Sequence, residues 1–284
     1  MTRKRFPAYG FIGCLLILLA ETPIVLNWLT GSRFPRLTTW TTPLSWWGYI
    51  LLVDALIFRL KGNSLIRSRF REFLFQIPIS VVLWLLFEAY NLHLKNWTYI
   101  GLPQNAAIAW TGRIISFGTI LPAILETTEL LQTLGAFSRM KIPPMRIRPW
   151  IIYPSIFIGL ALSIIPLLLE EQKALYLFAF VWMGFVFLLD PIVYSSGGES
   201  LLGDLEKGNL DRILSLAAAG YVCGFLWEFW NYWAAAKWMY TIPFTPNAHI
   251  FEMPMAGFLG FGPFAWEFFC MYQFVRLLGK PTRA

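Results

Sequence analysis

Eight stretches of mainly apolar residues follow one another along the chain: 10–30, 44–60, 73–92, 112–135, 151–169, 174–194, 212–234 and 255–278. Each is close to the ~20 residues that a helix needs to cross the hydrocarbon core of a bilayer. A helix satisfies its own backbone N–H and C=O groups in lipid, so a chain with this pattern has few other folds open to it. Composition points the same way. Only 14% of the 284 residues are charged and 57% are hydrophobic, whereas a soluble domain carries about a quarter charged residues. Too little polar surface remains to cover a water-soluble globule. The expected fold class is therefore an all-α integral membrane protein of about eight transmembrane helices. Pro78, Pro122 and Pro166 interrupt spans, which neighbouring helices tolerate by satisfying the freed carbonyls.

The basic residues choose an orientation. With the N-terminus placed in the cytoplasm, 17 of the 23 Lys and Arg fall in cytoplasmic segments. Only Arg33, Arg36, Lys95, Arg113, Lys173 and Lys237 fall on the other side. An excess of Lys and Arg marks the cytoplasmic face, so both termini are expected there, in a cell membrane. The net charge of +7 resides in these short loops and does not suggest nucleic-acid binding. The first apolar run could be read as a removed signal peptide, but it has a counterpart in the second half and is taken as a span.

The chain also repeats itself. Glu88 and Asn91, then Trp97 and Tyr99, then Pro103 are matched by Glu228 and Asn231, Trp238 and Tyr240, and Pro243, at offsets of 140 to 141. Pro122 and Glu126 match Pro263 and Glu267 at 141, and Asp54, Gly62, Ser64 and Leu65 match Asp190, Gly198, Ser200 and Leu201 at 136. Two tandem four-helix repeats are expected, 1–140 and 148–284, joined by a cytoplasmic linker at 141–147. An even number of spans makes both copies run the same way, related by a pseudo-two-fold axis along the membrane normal.

The repeated polar residues are the candidate site. Intramembrane acids face the protein interior or a wet cavity, because a charge facing lipid is costly. Glu88 and Asn91 share a helix face at i,i+3, as do Glu228 and Asn231. Glu88 lies ~22 Å along its helix at 1.5 Å per residue, in the outer part of the membrane. Glu126 and Glu267 fall near mid-depth. These six are the catalytic candidates, for which helix packing through hydrogen bonds is the structural alternative. Asp54 and Asp190, near the cytoplasmic turns, read as anchors of helix ends or loops. The aromatic loops carry Trp97, Tyr99, Trp110, Trp238, Tyr240, Phe244 and Phe251, as an interfacial belt or as a lid over a cavity. Trp97, Tyr99, Trp238, Tyr240, His249 and Glu252 are the substrate-binding candidates. Cys14, Cys223 and Cys270 lie in apolar runs and read as packing residues. Two histidines in different loops make no metal site, and no phosphate loop or hydrolase elbow is present. No cofactor is expected.

Three functions fit. Paired acids among aromatic rings suit an enzyme acting on an apolar lipid or isoprenoid, since a buried acid protonates an alkene and aromatic faces stabilise the cation. The chemistry parallels that of membrane-embedded terpene and carotenoid cyclases, without a shared motif. Two similar halves with acids at mid-depth also suit proton-coupled transport of a cationic or amphipathic solute. The third is a structural subunit, as a homo-oligomer or within a larger membrane complex.

Overall fold

The computed structural model describes residues 4–31, 35–242 and 247–279. Pro243 and Phe244 lie outside the described residues, as do Arg33 and Arg3, Lys280 and Arg283 among the charges. The first half runs α1 (Ala8–Thr30), α2 (Pro35–Thr38), α3 (Thr41–Lys61), α4 (Leu65–Ser68), α5 (Phe70–Leu94), β1 (Trp97–Ile100), α6 (Ala106–Phe117) and α7 (Ile120–Thr133). The second runs α8 (Pro149–Leu168), α9 (Glu171–Ala174), α10 (Phe178–Ser195), α11 (Leu201–Glu206), α12 (Asp211–Trp233) and β2 (Lys237–Tyr240). It continues through β3 (His249–Ile250), β4 (Met253–Pro254), a 3-10 turn (Met255–Gly260) and α13 (Phe261–Leu278).

Among the described residues, seven helical segments are long and apolar enough to cross a membrane: α1, α3, α5, α6 with α7, α8, α10 and α12. The protein is thus a mostly helical, multi-pass membrane protein, with two short antiparallel ribbons that the all-α expectation omits. The eighth expected span, 255–278, differs. Its first turn is 3-10, and its 18-residue helix α13 carries Glu267, Gln273 and Arg276. Most of α13 is buried, packed against α10 and α12, so protein and not lipid surrounds Glu267 and Gln273, while Arg276 near its end is exposed.

Close helix crossings explain which helices sit at the periphery. A Cβ added to Gly13 of α1 would stand 2.6 Å from the Gly48 carbonyl of α3, and one at Gly48 would stand 2.8 Å from the Gly13 carbonyl. In the second half, Gly159 of α8 and Gly184 of α10 approach as closely, with a Cβ at Gly159 only 2.7 Å from the Gly184 carbonyl. Helices in lipid associate through such small residues, since apolar area alone gives no advantage there. The opposite faces of α1 and α8 stay exposed, with Phe11, Leu15 and Leu18 on one and Tyr153 and Phe157 on the other.

Inside, α3 packs on α7, α10 on α13, and α12 on both α7 and α13. Phe87 stacks on Phe268 with centroids 5.8 Å apart, and Phe264 lies 4.5 Å from Phe268. Asp54 and Asp190 tie the short helices to this core. Asp54 accepts from the Ile66 N–H (2.7 Å) and the Ser64 hydroxyl (2.8 Å), and Tyr9 also donates to it. Asp190 accepts from the N–H groups of Leu201 (2.7 Å) and Leu202 (2.8 Å). The stretch 141–147 lies along the second half, where the Ile142 N–H donates to the Gly208 carbonyl and the Met145 N–H to the Leu205 carbonyl.

β1 and β2 pair with each other across the halves, Trp97 opposite Tyr240, Thr98 opposite Met239 and Tyr99 opposite Trp238. The pairing is reciprocal: the Trp of each strand faces the Tyr of the other. Two ends of the molecule follow from this. One carries the ribbon; the other carries α4 and α11, with the N-terminal Lys4 bonded to the Arg59 carbonyl and the C-terminal Arg276 beside Glu199.

Candidate functional site at the ribbon end

The ribbon is held by the two asparagines. Asn91 donates to the Trp97 carbonyl (2.9 Å) and accepts from the N–H groups of Asn96 (2.8 Å) and Trp97 (3.2 Å). Asn231 donates to the Trp238 carbonyl and accepts from the Trp238 N–H, both at 2.9 Å. Each amide acts as a short piece of β ladder, and its donor and acceptor are engaged with main chain. Residues two apart in a strand share a face, so Trp97, Tyr99, Trp238 and Tyr240 project together.

The matched acids behind this face differ. Three donors converge on Glu88 Oε1: Trp84 Nε1 (2.9 Å), Trp97 Nε1 (3.1 Å) and the Tyr99 hydroxyl (2.6 Å). Glu228 Oε1 receives the Tyr240 hydroxyl (2.8 Å), which in turn accepts from Trp238 Nε1 (2.9 Å). Glu228 Oε2 is buried and has no partner among the described residues. The asymmetry has a visible cause. Trp84 stands one turn before Glu88, while the matching position before Glu228 is Gly224, where a Cβ would lie 2.2 Å from the Phe261 ring. Burial, then the adjacent carboxylates, push the Tyr99 and Tyr240 hydroxyls well above the usual phenol range. Both therefore remain donors throughout the physiological range.

The four ribbon aromatics, Glu228 and the inner ends of α3, α5, α6, α7, α10, α12 and α13 enclose a cavity of about 160 Å³. Seven tryptophans line it, among them Trp46, Trp84, Trp182 and Trp227, and Glu228 is its one carboxyl among the described residues. Arg113 and Lys237 also reach it. Lys237 is neutralised by Glu252 at 2.5 Å. His249 is exposed and lies outside the cavity lining, as does Glu252 itself. Of the sequence candidates, the cavity thus gathers Trp97, Tyr99, Trp238, Tyr240 and Glu228. Glu88, Asn91 and Asn231 stand behind it and shape it. The wall tryptophans of α3, α5, α10 and α12, and Arg113, were not among the candidates. Trp84 and Trp227, four residues and one residue before the two glutamates, are the signal that points to them.

Glu126 and Glu267 are placed elsewhere. Both are buried, and neither oxygen of either has a hydrogen-bond partner among the described residues. Their helices run from the cavity to a second, polar cleft of about 600 Å³ at the opposite end. There α7 supplies Glu129 and Gln132, and α13 supplies Tyr272 and Arg276. The cations of this cleft are paired: Lys61 and Arg69 with Glu129, Arg212 with Asp204 and Glu199, Arg276 with Glu199. Burial raises the Asp204 carboxyl above its ordinary range although Arg212 opposes the shift. Among the described residues no three His, Cys, Asp or Glu side chains gather as a metal ion would need. No protein-family model matches the chain, and neither does any curated protein or solved structure.

Proposed function

We propose that the protein is a membrane-embedded enzyme that isomerises or cyclises an apolar lipid or isoprenoid by acid catalysis, with Glu228 as the acid. The observation that carries this reading is a lone carboxyl oxygen, Glu228 Oε2, in a cavity walled by tryptophan. Tyr240 fixes Oε1 and leaves Oε2 to bear the proton. An alkene π pair takes that proton, forming a C–H bond as the O–H bond breaks and leaving a carboxylate. The carbocation lies against indole faces, whose quadrupoles attract positive charge. Loss of a proton from a neighbouring carbon to Oε2 restores the acid, so the overall change is an isomerisation that consumes nothing. Glu88, Asn91 and Asn231 position the ribbon.

The reciprocal pairing of β1 with β2 supports two tandem four-helix repeats about an axis along the membrane normal, since exchange of i with j and j with i is the mark of a two-fold contact. The basic residues at the end bearing both termini support a cytoplasmic location for that end. A second reading, proton-coupled transport of a cationic or amphipathic solute, is favoured by one further observation. Among the described residues, Glu126 and Glu267 lie without hydrogen-bond partners on the two helices that connect the cavities.

The test is organic extraction of the protein purified in mild detergent, followed by mass spectrometry. The enzyme reading expects a specific isoprenoid or lipid with the wild-type protein, and its unconverted precursor with Glu228→Gln. Bulk phospholipid alone, the same in both, would overturn it and leave uptake assays with Glu126→Gln and Glu267→Gln to test transport.

A further inference from the structure

Arg113 is the one cation of the aromatic cavity that has no acidic partner among the described residues. Its guanidinium carbon lies 5.1 Å from the centre of the Tyr99 ring and 4.9 Å from that of Trp110. Nε is buried without an acceptor among the described residues. An interfacial arginine that merely reaches for water carries its head out of the protein; here two aromatic faces hold the guanidinium in the cavity wall. Tyr99 is itself pinned by Glu88 at 2.6 Å, so the orientation is built and not incidental. A partly buried guanidinium with an unused donor is a costly group unless something pairs with it, and its planar fork matches a carboxylate or phosphate.

We infer that Arg113 binds the oxyanion head of an amphiphile whose apolar part occupies the tryptophan-walled cavity before Glu228. This rests on the cavity being the substrate site. It narrows the substrate class from any apolar lipid or isoprenoid to a single-chain one that ends in a carboxylate or phosphate. Lys237, the other cation of the wall, is already neutralised by Glu252 and does not compete for the head. The polar and reactive contacts are then divided: Arg113 sets which end of the molecule enters, and Glu228 meets the chain.

The experiment uses the full protein in phosphatidylcholine nanodiscs and follows quenching of tryptophan fluorescence by 10-bromodecanoic acid and by its methyl ester. The acid is expected to quench at a concentration about tenfold lower than the ester, the scale of a charge-assisted hydrogen bond. Arg113→Met should abolish that preference and Arg113→Lys should keep part of it, which separates recognition from folding. Equal quenching by acid and ester, no quenching by either, or a preference that survives Arg113→Met would overturn the inference. So would loss of the wild-type preference when phosphatidylglycerol replaces phosphatidylcholine, because the site would then belong to bulk lipid phosphate. Glu228→Gln should retain the preference. If that variant also leaves substrate conversion intact, the acid-catalysis reading falls while the assignment of Arg113 stands.

Discussion

Glu88 and Glu228 occupy matching places, yet one oxygen of Glu88 collects three donors while Glu228 has a single one. The acid reading predicts that Glu228→Gln lowers turnover by at least about a hundredfold, the usual worth of a general acid, with little change in thermal stability. Glu88→Gln keeps an acceptor at the same place and should retain most activity. The asparagines give a different readout. Asn231→Ala leaves both the N–H and the C=O of Trp238 without a partner, and should cost about 1–3 kcal/mol in thermal or denaturant unfolding. The sequence showed Glu and Asn on one helix face but not their division of labour. That depends on where the chain returns after α12, and a long loop leaves the return open. The role of Gly224 was equally hidden, because a missing side chain matters only through the Phe261 ring that fills its place.

At the level of elements, the ribbon is the part most sensitive to small changes. Gly101, just after β1, has a φ of +66°, and a Cβ there would come within 1.9 Å of the Ala235 carbonyl. Gly101→Ala should therefore separate the strands, seen as a red shift of tryptophan emission as the cavity wets. Thr98 and Met239 are directly paired and, by strand alternation, project away from the cavity. The pair Thr98→Cys with Met239→Cys should form a disulfide on mild oxidation. Of the native cysteines, Cys223 and Cys270 are buried and should not interfere, and the half-buried Cys14 is replaced by Ser for the experiment. If substrate arrives by lifting the ribbon, oxidation will stop turnover and reduction restore it; unchanged turnover would mean arrival from the side. Seven of the eight expected spans were legible among the described residues, since apolar length is a local property. The break between α6 and α7 at Gly118 and Thr119 was not, because the apolar run continues through it. Nor was the burial of α13, whose composition marks it as helical but not as enclosed by its neighbours.

For the molecule as a whole, the layer that divides the two cavities decides between catalysis and transport. Glu126 and Glu267 sit in that layer without hydrogen-bond partners among the described residues. If they serve no proton path, Glu267→Met, an apolar replacement of similar length, should raise stability by about 1 kcal/mol and leave activity unchanged. Transport predicts the reverse, with Glu126→Gln and Glu267→Gln each abolishing uptake. The matching of Glu88 and Asn91 with Glu228 and Asn231 was visible from residue offsets alone, because polar residues in apolar helices are few enough for their spacing to carry information. The cavity was not, since its walls come from seven helices far apart in sequence. The reciprocal ribbon has one more consequence. In a pair of identical subunits, every side chain near the axis is present twice, and a tryptophan placed to satisfy one glutamate must also satisfy its twin. A single polypeptide carries no such obligation: Trp84 donates to Glu88 while Gly224 offers Glu228 no side-chain donor, and a reciprocally paired lid can close over a chemically one-sided chamber.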